Sequence, residues 1–160
     1  MENNNLIDLK LECSIIGYLI ENSNLNEFDN IINLIGDNEK VFFEKKNRIL
    51  FNTIKYLKEQ KNIIDIITVI HRLRVINDKE ITPEYVINCV QSVTQSHNIK
   101  VHIFILSELY FRRSISDLGV KLALKASDFN KDILQILLDA EEQIKKANSL
   151  ILSIKKSQEL

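Results

Sequence analysis

Apolar residues recur every three or four positions along almost the whole chain, which is the spacing of one face of an α-helix. The 160 residues include only three glycines and one proline. That is too few for a fold of many short strands, because such a fold needs turn residues about every 8–12 positions. With 45% hydrophobic residues, the chain can bury a core. We therefore predict an all-α fold.

The first 98 residues contain five short amphipathic segments, each predicted to be a helix. Asp65 can cap the fourth segment, and Thr82 with Pro83 can begin the fifth, because a proline at the first helical position leaves no N–H unpaired. Gly36 stands where the second helix would end in a left-handed cap. The predicted core faces are, in order, Leu6, Leu9, Cys13, Ile16 and Ile20; Phe28, Ile31, Ile32 and Ile35; Leu50, Thr53, Ile54 and Leu57; Ile66, Val69, Ile70 and Leu73; and Val86, Cys89, Val90 and Val93.

Two longer helices are predicted in the rest of the chain. The first runs from Ile99 to about Ala126 after a polar break, and its first half is apolar nearly all round, which predicts that it is buried. The second runs from about Lys131 to Ala147 or beyond. A short connection between two helices makes them antiparallel neighbours.

The predicted architecture is thus a compact head of about five short helices followed by a long antiparallel helical hairpin. We assign residues 1–98 to the head and residues 99–148 to the hairpin, which completes the same domain. Residues 149–160 are predicted to be a tail or the start of a linker.

Each arm of the predicted hairpin carries two apolar faces. On the first arm these are Ile115, Leu118, Leu122 and Ala126, with Val120 and Leu124 roughly opposite; on the second they are Ile133, Ile136, Leu137, Ala140 and Ile144, with Leu134 and Leu138 as a separate pair. Two packed helices can cover one face each, and each further aliphatic side chain that is buried contributes about 1.5–3 kcal/mol. We therefore predict a dimer or partner interface formed by Leu118, Val120, Leu122, Leu124, Leu134 and Leu138. The alternatives are that these are ordinary surface residues or that the head covers them.

The sequence carries none of the common catalytic motifs. Gly17, Gly36 and Gly119 are isolated, so there is no phosphate-binding loop, and Gly17 is predicted to allow a close approach of two helices. The three histidines do not pair at metal-ligand spacing with one another or with cysteine, and no serine stands in a GxSxG motif. We predict a chain without enzymatic activity, with no catalytic residue, no cofactor and no metal site.

Cysteine usage predicts a cytoplasmic protein, and the charge balance argues against nucleic-acid binding. Cys13 and Cys89 form no CxxC pair and, without a secretory signal or a membrane span, are predicted to be buried thiols in a reducing compartment. The 21 basic and 22 acidic side chains give a net charge of −1. We expect no membrane partner and no direct nucleic-acid binding, although a nucleic-acid-binding helical module remains an alternative.

Five short motifs follow one another along the chain. They are Leu11-Glu12-Cys13-Ser14-Ile15-Ile16-Gly17; Phe42-Phe43 followed by Arg48-Ile49-Leu50-Phe51; Ile64-Asp65 with Thr68; Asn98-Ile99 with Ile105, Glu108 and Arg113; and Leu138-Asp139-Ala140-Glu141. In this order and spacing they resemble the N-terminal domain of the DnaB-type replicative DNA helicase over about residues 8–147.

The chain also departs from that family's pattern. It has Thr94-Gln95-Ser96 where the family often has proline, His102 where an aromatic residue is common, and Asn47 where a histidine is common. It reaches Leu160 without a recognisable linker helix or ATPase domain, so we interpret it as either a fragment or a stand-alone gene product.

The resemblance implies a non-catalytic collar domain that acts in DNA replication. In that family the domain dimerises through the hairpin, three dimers form the collar of a hexameric ring, and the collar docks the C-terminal domain of primase and helicase loaders. The expected partners are therefore a second copy of the chain, as a homodimer or a trimer of dimers, together with primase and a loader. A stand-alone regulator that caps or competes with a full-length helicase is the alternative.

Overall fold

The computed structural model describes residues 4–36, 38–93, 98–130 and 132–156, and within these ranges the chain is helical without any strand. The α-helices are α1 (Leu9–Glu21), α2 (Phe28–Ile35), α3 (Lys45–Glu59), α4 (Ile66–Val75), α5 (Pro83–Gln91), α6 (Ile99–Ala126) and α7 (Ile133–Lys156), with 3-10 turns at Asn4–Leu6 and Glu39–Val41. The all-α prediction is confirmed. The chain forms two compact units, residues 1–107 and residues 108–160, so α6 contributes to both. The predicted division into head, hairpin and tail stays a prediction.

The starts of the helices follow from local sequence. The Asp65 carboxylate accepts the backbone N–H of Thr68 at 2.8 Å, and the Thr68 hydroxyl accepts the backbone N–H of Asp65 at 2.9 Å, which is a capping box. The Thr82 side chain caps α5, whose first residue is Pro83. Gly36 ends α2 with φ of 77°, as predicted, but its ψ of −168° lies outside the left-handed helical conformation.

In α2 and α3 the residues predicted to face the core are buried, whereas in α1 the buried residues differ in part from the predicted ones. Ile15 and Leu19 are fully buried, although neither is in the predicted face of that helix. Leu9 is 46% exposed and Cys13 is half-buried, so the prediction is wrong for Leu9. The physical reason is that α1 packs against both α3 and α5 and therefore buries more than one narrow stripe.

Helices α4, α5 and α6 bury less of their predicted faces than expected. In α4 and α5 two residues of each predicted face are buried, Val69 with Leu73 and Val86 with Cys89. The remaining residues, Ile66, Ile70, Val90 and Val93, are half-buried. In the first part of α6, Ile103 and Leu106 are buried, but Val101, Phe104 and Ile105 are 45%, 37% and 39% exposed. The prediction that this part is buried on all sides is therefore wrong, because an apolar sequence does not decide how many neighbours pack around a helix.

A buried carboxylate connects α1 to the start of α3. Glu12 is fully buried, and its Oε1 accepts the backbone N–H of Phe43 at 2.6 Å. Its Oε2 accepts the backbone N–H of Glu44 at 3.1 Å and the side-chain amide of Asn47 at 3.0 Å. The Tyr85 hydroxyl of α5 donates to Asn47 Oδ1 at 2.9 Å. These hydrogen bonds compensate the buried charge and connect three helices.

Helices α1 and α5 approach so closely at Gly17 that no side chain fits there. A Cβ atom at this position would lie 2.1 Å from the carbonyl oxygen of Cys89 and 2.8 Å from a methyl carbon of Val93. The predicted close approach of two helices at Gly17 is confirmed. At Gly119, by contrast, an added Cβ would meet nothing within 4 Å.

We expect Glu12→Gln to lower the free energy of unfolding by about 2–4 kcal/mol, because the new amide group would face backbone N–H donors and the charged acceptor would be lost. Urea denaturation followed by circular dichroism measures this change. The control is Glu141→Gln, which removes an exposed pair with Lys145 at 2.6 Å and should change stability by no more than about 0.5 kcal/mol. Equal effects of the two substitutions would contradict a structural role for Glu12.

We expect Gly17→Ala to destabilise the protein by about 2–3 kcal/mol or more, because the added methyl group overlaps the Cys89 carbonyl and forces α1 and α5 apart. The matched control is Gly119→Ala in the interior of α6. This change should raise stability by about 0.5–1 kcal/mol, because alanine is the better helix former and the space is open. Thermal unfolding of both variants tests whether the two substitutions change the stability in opposite directions.

Candidate protein–protein interface

The second unit consists of the last part of α6 and α7, joined by a short turn. The Ser127 hydroxyl donates to the carbonyl of Ala123 at 2.9 Å at the end of α6. The Asp132 carboxylate accepts the backbone N–H of Leu134 at 2.9 Å at the start of α7. Lys131, at the predicted start of this helix, lies outside the described residues, and so do residues 94–97 of the predicted polar break at 94–98.

The two arms are joined near the turn by an ion pair. Lys125 Nζ lies 2.8 Å from Asp139 Oδ2, and Gln135 Nε2 donates to Asp139 Oδ1 at 2.8 Å. The hydrogen bond from Lys125, followed by that from Gln135, holds the pKa of the Asp139 carboxyl below its ordinary value. Because both charges remain partly exposed to water, the pair orients the arms more than it stabilises them.

The six residues predicted to form an interface lie on both arms of the hairpin. Four of them are well exposed in the single chain, namely Val120 (59%), Leu124 (69%), Leu134 (66%) and Leu138 (60%). Leu118 and Leu122 are half-buried. Apolar side chains are thus presented to water on both arms, which is what an association surface requires.

The arms cover less of each other than the sequence predicted. On the predicted apolar face of α7 that begins at Ile133, Ile136 is buried. Ile133, Leu137 and Ile144 on the same face are 59%, 59% and 50% exposed. Ile115 on the opposite arm is 55% exposed. From the sequence, these four residues belong to faces that the pairing of the arms could cover. No signal in the sequence shows their exposure, because it depends on the separation of the helices.

A cleft between the two arms explains part of this exposure. Its lining residues are Tyr110, Phe111, Ser114, Ile115, Leu118, Gln143 and Lys146. Aromatic and aliphatic side chains come from α6, and longer polar side chains come from α7. The turn adds Phe129, whose side chain is completely exposed. The surface therefore offers burial of apolar area and a few polar contacts.

Nothing in the described parts of the chain adds metal or membrane chemistry to this surface. Among those residues, no three His, Cys, Asp or Glu side chains come close enough to hold a metal ion. None of the helices that the structure describes is both long enough and apolar enough to cross a lipid bilayer.

Comparison with known proteins places this architecture in a family. Residues 4–108 match the model of the DnaB-like helicase N terminal domain. The crystal structure of the N-terminal domain of DnaB helicase from Mycobacterium tuberculosis has the same fold, with a TM-score of 0.73 over 88% of this chain and 97% of that chain, at 18% sequence identity. No curated protein sequence matches significantly. These matches concern the N-terminal domain and not the catalytic ATPase part of the helicase. The resemblance inferred from the five motifs is confirmed, and the chain belongs to the family of DnaB-like helicase N-terminal domains.

Proposed function

We propose that this chain is a non-catalytic collar domain that assembles a replicative helicase by dimerising through its hairpin. The observation that carries the proposal is the exposure of Val120, Leu124, Leu134 and Leu138 on both arms. Family membership supports the same role, because the matched family is the N-terminal domain of a helicase.

The energetics of burial support a dimer. Each of the four side chains is about 60% or more exposed, so covering it contributes about 1–2 kcal/mol. A two-fold dimer uses the same surface twice and covers eight such side chains, which gives about 8–16 kcal/mol. The loss of translational and rotational freedom costs about 4–15 kcal/mol. Further contacts from Ile115, Ile133 and Leu137 would favour the dimer.

The same proposal assigns the domain its further partners. Three dimers would form a ring, and the outer surface of that ring would dock the C-terminal domain of primase or a helicase loader during DNA replication. The apolar side chains of Val101, Phe104 and Ile105 in the first part of α6 are exposed in the single chain and would be available for these contacts.

Light scattering of the 160-residue chain at micromolar concentration should give about twice 18.6 kDa. Leu134→Asp and Leu138→Asp should each shift the mass towards that of one chain while the first unit stays folded, because both side chains are exposed and lie in the second unit. The matched control is Ile67→Asp in α4, where the side chain is 78% exposed in the first unit. A monomeric unsubstituted chain, or dissociation by Ile67→Asp alone, would contradict hairpin dimerisation.

Docking can be tested by isothermal titration of the chain with the C-terminal domain of primase from the same organism. We expect saturable binding to the unsubstituted chain, because the collar is proposed to be the docking platform. Leu134→Asp should weaken binding if the partner recognises the dimer, whereas Glu141→Gln, a substitution on the polar face of α7, should leave it unchanged. If the chain shows no heat of binding either to primase or to a helicase loader, the docking part of the proposal is refuted.

A further inference from the structure

The two cysteines of the chain are neighbours in the folded protein, although the sequence separates them. Cys13 lies in α1 and Cys89 in α5, and both thiols are free. The Cys13 Sγ lies 3.6 Å from the Tyr85 hydroxyl of α5. One turn further along both helices, Gly17 packs against the backbone of Cys89, so the two thiols lie on the sides of α1 and α5 that face each other. Gly17 explains this close approach of the two helices. It lies one helical turn after Cys13, and the absence of its side chain allows the backbone of Cys89 to press against α1.

We propose that Cys13 and Cys89 form an oxidation site that closes to an intramolecular disulfide when the protein meets a low-molecular-weight disulfide such as oxidised glutathione. From the sequence, both cysteines are predicted to be buried thiols in a reducing compartment. The structure instead places both thiols where α1 packs against α5, and one of them is half-buried. The proposal does not depend on hairpin dimerisation.

The surroundings of the two sulfur atoms assign them different roles. The hydrogen bond from Cys89, aided by Tyr85 and Asn47, lowers the pKa of the Cys13 thiol against the opposing effect of burial. The Tyr85 hydroxyl lies 3.6 Å from Cys13 Sγ. The hydrogen bond to Cys13 and burial raise the pKa of the Cys89 thiol. The thiolate is the nucleophile in disulfide exchange, so Cys13 reacts first.

The reaction balances in two exchange steps. The Cys13 thiolate attacks one sulfur of oxidised glutathione, breaks its S–S bond and expels one glutathione thiolate. Cys89 then loses its proton, and its sulfur attacks Cys13 Sγ in the mixed disulfide and expels the second glutathione. The two protein thiols are oxidised by two electrons, one glutathione disulfide is reduced, and the two thiol protons end on the two glutathione molecules.

The product would connect α1 to α5 across the core of the first unit. The cross-link would close a loop that contains α2, α3 and α4, and closing a long loop restricts the unfolded chain. Oxidation is therefore expected to raise the thermal stability of the first unit.

The test uses the full chain, reduced and then incubated with oxidised glutathione near neutral pH. We expect intact mass spectrometry to show the loss of two hydrogen atoms, titration with a thiol reagent to find both thiols gone, and peptide mapping to recover the Cys13–Cys89 link. The melting temperature should rise, and dithiothreitol should reverse every change. A lasting glutathione adduct, a disulfide between two chains or two unreacted thiols would each overturn the proposal.

Two variants separate the roles of the sulfur atoms. Cys89→Ser should stop at the mixed disulfide, so that its mass increases by one glutathione. Cys13→Ser should react at least about tenfold more slowly, because the remaining thiol is buried and has a raised pKa. Circular dichroism shows whether each variant is folded, and Cys89→Ala replaces Cys89→Ser if the hydroxyl group is not tolerated. Equal reactivity of the two single variants would refute the assigned order.

Discussion

The contact between α1 and α5 at Gly17 is the constraint on which the first unit depends. The carbonyl of Cys89 occupies the space that a side chain would need, so the helices can cross at this distance only with glycine at position 17. One and a half turns earlier in α1, the buried carboxylate of Glu12 accepts hydrogen bonds from the backbone and side chain at the start of α3. Helix α1 thus packs against α5 and positions α3 through two unrelated interactions, one steric and one polar.

The two units use their apolar residues in opposite ways. In the first unit the aliphatic and aromatic side chains of α1, α2 and α3 are largely buried, and a polar network that includes Tyr85 and Asn47 is satisfied within the core. In the second unit, aliphatic side chains on both arms remain exposed, and an ion pair between Lys125 and Asp139 joins the arms. A unit of this kind gains stability from a partner that covers its surface, since binding to the folded state shifts the folding equilibrium. Assembly and folding of the hairpin are therefore expected to be coupled.

The motifs that indicate the family have separate physical reasons in this structure. In the first motif, Glu12 supplies the buried carboxylate and Gly17 permits the helix crossing. In the third motif, Asp65 and Thr68 form the capping box that starts α4. Asn47, which stands where the family often has histidine, bridges Glu12 and Tyr85 through both ends of its amide group. Asn47 shows that a residue that departs from the family's pattern can still connect two helices.

The sequence by itself determined the helical class, the order of the helices and several of their ends, because periodicity, caps, proline and glycine act within a few residues. Helix α6 begins and ends at the predicted residues, and α5 begins at Pro83 as predicted. Only the tertiary structure decided which faces are covered. It buries Ile15 and leaves Leu9 exposed, and it brings Cys13 and Cys89 to the same contact between α1 and α5. Burial and contacts between distant residues depend on the directions and separations of whole helices, which the local pattern of one helix does not contain.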